Sequence, residues 1–342
     1  MKKNLNFLRR ILPLLILVVS IQVEFGVGYQ SSASQSDFEV SDFFTSLQSI
    51  SGEMLKGPSF DTYQKYQTFL SAPTSSLKFQ TYEYPHQMFR DTFTSLLASW
   101  TPIQLIIEDQ KYQQFSNPLR QLETEFSGFQ TFQVKSDKQM GTTYVHSKIS
   151  LSDTEFRIQS ANLTKSSYES NREHFFHSSD PEMLASLHQL FDNDWEGDPL
   201  QSSDFHSNLV VCPTNCRAVV EALLYKAETS ITIQTQYIFD PEILKILRHQ
   251  STQLDLKIIV ADTISNQELV SYFGPWVARK LTSNYNHTKM ILVDDKYLLL
   301  GSMNLSDNSI DNNREIWLLL IDEQYIQLFK EWFQEDWREN TK

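Results

Sequence analysis

An α/β protein made of two tandem copies of one unit is predicted for this 342-residue chain, and three observations carry that prediction. A single offset of 142 residues lays Ser160-Ala161-Asn162-Leu163 on Ser302-Met303-Asn304-Leu305 and Asn171-Arg172-Glu173 on Asn313-Arg314-Glu315. The same offset lays Phe191, Asp194 and Trp195 on Phe333, Asp336 and Trp337. Upstream, short apolar runs correspond with altered loop lengths: Leu77–Thr81 matches Ile231–Thr235, and Ile106–Asp109 matches Ile259–Asp262. These runs read as strands, and helical stretches such as Pro181–Trp195 and Pro241–Gln250 follow them. Strands alternating with helices predict sheets covered on both faces. A period this long is domain duplication and not a solenoid, so the two units are expected to pack as a pseudo-dimer within one chain.

The chain opens with a targeting segment. Lys2, Lys3, Arg9 and Arg10 precede an apolar run from Ile11 to Val23. That length suits a signal-peptide core and is short of the roughly 20 residues of a membrane span. Residues 1–28 are therefore expected to be a signal peptide or a membrane anchor. Either one exports the body, which is then secreted, periplasmic or anchored to the outer face of the cell membrane. Residues 29–57 read as a Ser/Gln-rich linker and N-terminal extension. The first unit is assigned to residues 58–198, the second to 199–342, with the break near Gly197-Asp198-Pro199.

Composition narrows the class. Nine Gly and eleven Pro exclude a collagen-like or low-complexity chain, and two Cys exclude a disulfide-dense scaffold or a four-Cys zinc site. In an exported chain Cys212 and Cys216, spaced C-x3-C around Pro213, predict a local disulfide. The formal net charge is −13, and loss of the four basic targeting residues takes it to −17, or to −16 if Glu24 leaves with them. Such a body is not built to coat nucleic acid, because that binding neutralises phosphates with Lys and Arg.

Each unit contains H-x-K-x4-D: His146, Lys148 and Asp153 in the first, His287, Lys289 and Asp294 in the second. On a strand, residues two apart share a face, so His and Lys project together. The Asp lies seven positions away on the other face, and Asp153 and Asp294 are read as turn or structural residues. If each motif opens a hairpin, a two-residue turn at Asp294-Asp295 sets His287 opposite Ser302. A three-residue loop at Ser152-Asp153-Thr154 sets His146 opposite Ser160.

The paired H-x-K-x4-D motifs, Gly301-Ser302-Met303-Asn304 and the downstream Asn-Arg-Glu together resemble the phospholipase D superfamily over residues 60–340. The first copy departs from that pattern, with Gln159 in place of Gly and a hairpin one residue shorter. The resemblance implies two phospholipase D/nuclease-like α/β/α sandwich units on a pseudo-twofold axis, with both motifs lining one cleft. Cleaving an anionic phosphodiester requires charge stabilisation, a nucleophile and a proton for the leaving oxygen. Lys148 and Lys289 are expected to hold the phosphoryl oxygens, helped by Asn162 and Asn304 and by the hydroxyls of Ser160 and Ser302. One His attacks phosphorus and the other protonates the leaving group. Symmetry does not choose between them, whereas the resemblance favours His146 as nucleophile and His287 as acid. Glu173 and Glu315 are expected to hold the far ring nitrogen of a His and fix its tautomer. No cofactor, metal or protein partner is implied, and the chain is expected to act as a monomer.

Other candidates carry ordinary readings. Arg172 and Arg314 are assigned to structural salt bridges, and the sequons at Asn162, Asn286 and Asn304 are read as coincidences. The aromatic run Tyr272-Phe273-Gly274-Pro275-Trp276 either lines the cleft mouth, towards acyl chains or a membrane, or packs between the halves. For substrate, export and acidity favour a phospholipid or membrane surface. Nucleic acid is the alternative, cleaved by an exported endonuclease, and a phosphatidyltransferase such as a cardiolipin synthase is a third reading.

Overall fold

The computed structural model describes residues 40–109, 117–339 and 341–342. The predicted signal or anchor at 1–28 and the Ser/Gln-rich stretch after it lie outside those residues. Among the described residues no helix is long and apolar enough to cross a membrane.

Two mixed sheets repeat one strand order. The first runs β1-β7-β6-β5-β2-β3-β4, from β1 (Glu53–Gly57), β2 (Leu77–Thr81), β3 (Ile103–Ile107), β4 (Phe132–Ser136), β5 (Ile149–Leu151), β6 (Phe156–Gln159) and β7 (Asn171–Ser178). The second runs β8-β15-β14-β13-β9-β10-β11, from β8 (Leu209–Cys212), β9 (Ser230–Thr235), β10 (Asp255–Ala261), β11 (Ala278–Leu281), β13 (Lys289–Val293), β14 (Tyr297–Gly301) and β15 (Glu315–Leu320). The short β12 (Tyr285–Asn286) leaves the second half and pairs in parallel with β7 of the first.

Helices α1 (Val40–Thr45), α2 (Phe60–Ser71), α3 (Gln87–Ala98), α4 (Pro118–Glu125), α5 (Lys165–Glu169) and α6 (Pro181–Glu196) precede the second sheet. Helices α7 (Cys216–Tyr225), α8 (Pro241–Gln250), α9 (Gln267–Phe273), α10 (Asp307–Asp311) and α11 (Glu323–Glu339) accompany it. The start of α6 is written in its sequence. Asp180 accepts from the Met183 N–H as N-cap and Pro181 sits in the first turn, while Gly197 closes the helix at φ 80°.

Each half has its own core, and a third lies between them. Side chains of α6 and α11, such as Leu187, Phe191, Phe329 and Phe333, pack there with Ile158 and Phe176 from the first sheet and Leu300 and Leu318 from the second. The described residues of the two halves therefore share one continuous apolar core and form a single body.

Three expectations are corrected. The N-terminal extension is structural from Val40 onwards: α1 seats Phe43 in the core of the second half, and β1 is an edge strand of the first sheet. Pairing with β7 thus recruits residues 53–57 ahead of the boundary expected at 58. The second correction concerns register, which is displaced by one residue in both hairpins. Asp294 and Asp295, at φ 54° and 51°, do form a tight turn in which the Lys296 N–H donates to the Val293 carbonyl. The ladder then resumes with Val293 opposite Tyr297, an extra residue accommodated as a bulge. In the first half Leu151 faces Phe156 across a four-residue loop. Continued outwards, these registers set Ser147 against Ser160 and Thr288 against Ser302, so neither His faces the Ser of its own hairpin.

The third correction is the aromatic run. It lies at the opposite end of β11 from His287, with the Trp276 carbonyl accepting from Lys257 Nζ. Phe273 packs on the core of the second half alone, while Tyr272 and Trp276 are exposed. The run therefore neither lines the cleft nor joins the halves.

The motif aspartates tie the hairpin tips to the sheets. Asp294 accepts from the backbone N–H groups of Glu228, Thr229 and Ser230, and Asp153 accepts from the N–H and hydroxyl of Ser75. Burial raises the pKa of both carboxyls, but these hydrogen bonds outweigh it and hold them below the ordinary range. The position of Gln159 differs between the halves in its neighbour across the strand. A Cβ on Gly301 would press into the Ile316 carbonyl oxygen and Trp317, whereas the equivalent pair in the first half is Gln159 and the smaller Phe175. Cys212 and Cys216 are joined as a disulfide, with Cα atoms 5.0 Å apart at the start of α7.

Candidate active site

The two halves exchange the backbone that carries the histidines. Val145 bridges in parallel to Arg314, and the N–H groups of His146 and Ser147 both donate to the Arg314 carbonyl, at 2.9 and 2.8 Å. In the same way, β12 runs beside Asn171 and Arg172, and the His287 N–H donates to the Arg172 carbonyl at 3.0 Å. Each His is thereby docked one residue from the Glu of the other half.

The side chains cross accordingly. His146 Nδ1 lies 2.8 Å from Glu315 Oε2, and His287 Nδ1 lies 2.8 Å from Glu173 Oε1. Both glutamates are fully buried. Burial raises their pKa, yet the facing His and Lys and their hydrogen bonds bring the carboxyls below the ordinary value, so both are ionised. An ionised carboxylate only accepts, which places the proton on each Nδ1 and leaves each Nε2 with its lone pair towards the cleft.

Burial lowers the imidazole pKa values. His146 is pushed down to about 4, with Glu315 opposing and Lys148 and Lys289 adding to the shift. His287 is lowered by burial too, against Glu173 and with Lys289 and Lys148. Each ammonium thus acts on both imidazoles, which joins the two motifs electrostatically.

Lys148 and Lys289 each spend one proton on the carbonyl of their own motif His, at 2.6 and 2.7 Å. Two donors per ammonium remain for a ligand. Burial pushes Lys148 down to about 8 and Lys289 to about 7, although Glu173, Glu315 and Glu83 pull the other way. A bound anion would restore their charge.

Asn162 and Asn304 stand at the cleft, buried, with Oδ1 atoms that have no hydrogen-bond partner among the described residues. The serines have a different role from the expected one. Ser160 Oγ donates to Glu173 and Ser302 Oγ to Glu315 at 2.6 Å, and each oxygen also accepts a backbone N–H. A hydroxyl has one proton to give, so neither can also donate to a phosphoryl oxygen. They hold the glutamates.

Arg172 and Arg314 are structural, and they cross as well. Arg172 pairs with Asp336 at 2.8 Å and Arg314 with Asp194 at 3.0 Å, each reaching the opposite half.

Two polar hollows open on the histidines. One, of about 290 Å³, brings Glu83, Asn162, Gln236 and Tyr285 around His287. The other, of about 220 Å³, brings Tyr82, Tyr144, Tyr237 and Asn304 around His146. Sequence reasoning missed Tyr82, Glu83, Gln236 and Tyr237. Their signal was position, directly after β2 and β9, at the carboxyl edge where open α/β sheets bind ligands.

The chain is similar to known proteins. The family model described as "Cardiolipin synthase, PLD-like domain" matches residues 66–195 and 220–337. A mitochondrial cardiolipin hydrolase of Canis lupus familiaris is 46% identical over 55 residues, which is 16% of this chain and 22% of that protein. Cardiolipin synthase 1 of Bacillus anthracis is 29% identical over 137 residues, which is 37% of this chain and 27% of that protein. The chain thus matches about a quarter of the length of these curated relatives. Among solved structures, phosphatidylserine synthase of Haemophilus influenzae Rd KW20 superposes with a TM-score of 0.69 at 14% identity, covering 89% of this chain and 91% of that one. A polyphosphate kinase from Porphyromonas gingivalis superposes at 0.64 and 12% identity, covering 84% and 51%. At such identities the likeness is one of fold.

Proposed function

Because this chain belongs to the phospholipase D superfamily, we propose that it hydrolyses the head-group phosphodiester of a phospholipid through a phosphohistidine intermediate. The crossed His–Glu pairs carry the reading: each imidazole is held at Nδ1 by the Glu of the other half, and both motif lysines act on both rings. His146 Nε2 attacks phosphorus and the bond to the head-group oxygen breaks. His287, protonated at Nε2, gives that oxygen its proton and so releases a neutral alcohol. Water then enters, loses a proton to His287 and displaces His146 from phosphorus, which leaves a phosphatidate and the original imidazoles. Lys148, Lys289, Asn162 and Asn304 bear the charge that collects on the phosphoryl oxygens.

Phosphatidyl transfer is the second reading, favoured by the name of the matching family and by the synthase among the relatives. It differs only in which hydroxyl captures the phosphoenzyme. Purified protein in EDTA is to be given labelled phospholipid vesicles with and without glycerol, and separately single- and double-stranded DNA. Hydrolysis predicts free head group and phosphatidate without glycerol. A product formed only when glycerol is present assigns transfer, and cleavage of DNA alone overturns the lipid reading.

The pH profile follows from the site. Attack needs His146 neutral, hence a pH above about 4, and protonation of the leaving group needs His287 charged, which burial confines below the ordinary 6.5. Substrate binding needs Lys289 and Lys148 charged, and the free protein loses those protons near 7 and 8. We expect kcat/KM to peak at about pH 5–6 and to fall steeply through pH 7–8. A bound phosphodiester re-protonates the lysines, so kcat falls later than kcat/KM. A plateau in kcat/KM extending to pH 9 would refute this.

A further inference from the structure

The two hollows are not identical, and the difference in charge between them is made by Glu83. Tyr82-Glu83 follows β2 where Gln236-Tyr237 follows β9, so the hollow beside His287 has an acid where the hollow beside His146 has a phenol. Glu173 and Glu315 are each committed to a His ring and a Ser hydroxyl. Glu83 has no such commitment: its carboxylate takes no hydrogen bond from the protein among the described residues, and only its main-chain carbonyl accepts, from Thr81. Its charge nevertheless reaches the ammonium groups of both Lys148 and Lys289.

Charge decides what this acid is for. With neutral imidazoles, the site sets three carboxylates against two lysines, and a phosphodiester adds a further negative charge. An acid beside a phosphate site repels a second phosphate and attracts a cation. Beside His287 and Tyr285, the hollow is lined by the hydroxyl and amide groups of residues such as Asn162, Ser167, Asn171 and Gln236, and its volume of about 290 Å³ suits a small polar group and not an acyl chain. Resting on the phospholipid reading above, we propose that Glu83 selects the leaving alcohol, and that this alcohol carries an ammonium group, as an ethanolamine-type head group does.

The test compares the ethanolamine and glycerol phospholipids in micelles with their deacylated counterparts, glycerophosphoethanolamine and glycerophosphoglycerol. Wild type is expected to favour the ammonium substrate in kcat/KM by about tenfold, roughly one charge–charge contact. Glu83 also supports the charge of both lysines, so the comparison is made at about pH 5.5, where both stay protonated. There Glu83→Gln should erase the preference by slowing the ammonium substrate far more than the glycerol one, and Glu83→Asp should retain most of it. Equal changes on both head groups, or a wild-type preference for glycerol, would overturn the proposal. If the deacylated pair shows the preference and its loss while neither lipid is cleaved, the phospholipid reading fails and the selection by Glu83 stands. If nothing is cleaved, both fall.

Discussion

His146→Ala and His287→Ala are each expected to lower turnover of a phospholipid by at least about 10³-fold, and the double variant to be scarcely worse than either alone. Groups that act as a unit do not add, and here the two imidazoles form one unit: each is held by the other half's Glu, and both lysines act on both rings. The two losses have different causes, which an activated substrate separates. A p-nitrophenyl phosphodiester expels a leaving group that needs no proton, so His287→Ala should still form the P–N bond at His146. Without His287 to activate water that intermediate persists, and we expect a burst of nitrophenol stoichiometric with protein and a phosphoryl adduct by mass spectrometry. His146→Ala should give neither. An adduct on His146→Ala and none on His287→Ala would reverse the roles, and activity surviving in both variants would end the phosphohistidine mechanism.

Much of this site was legible because duplication writes the same chemistry twice. A lone His-x-Lys says little, but His146/Lys148 and His287/Lys289, each followed at matched spacing by Ser, Asn and Glu, mark one constellation. The strands Leu77–Thr81 and Ile231–Thr235 could be read for the same reason: the first is observed at that span and the second begins one residue earlier. What the repeat hides is which copy touches which. A constant offset is unchanged when partners are exchanged, so Glu173 reads equally well as the partner of His146 or of His287. The exchange is made by backbone bridges, Val145 to Arg314 and Asn286 to Arg172, that have no side-chain pattern to reveal them. The hairpin register failed on a smaller scale. Asp294-Asp295 identified the turn, but the bulge beside it, like the four-residue loop of the first hairpin, is a matter of backbone geometry and shifts the register by one residue, so that neither Ser faces its own His. Strand β1 was missed because Met54-Leu55-Lys56 is short and has no recognised copy in the second half, although β8 occupies the equivalent edge.

The crossed arginines give the largest expected effect on stability. Arg314 and Asp194 are both buried and lie in opposite halves, and Asp194 also accepts from Gln80 Nε2 at 2.8 Å. Burial raises the Asp194 pKa and outweighs the pull of Arg314 and Gln80, so the carboxyl stays above its ordinary range. That sign means the pair is not a net source of stability: two charges have left water and the attraction between them does not fully compensate. Removing one partner is a different matter, because the other remains as an uncompensated buried charge. Asp194→Ala is therefore expected to cost about 3–5 kcal/mol in denaturant unfolding. It should also impair catalysis in the protein that still folds, since the Arg314 carbonyl holds the N–H groups of His146 and Ser147. The double variant Asp194→Leu/Arg314→Met removes both charges and should recover most of the lost stability, giving a large coupling energy in the double-mutant cycle. It should not recover activity to the same degree, because an apolar pair no longer fixes the Arg314 backbone against the loop that carries His146. Additive losses would show that the two side chains act independently, and full recovery of both stability and turnover would show that the crossed pair does not position the histidine.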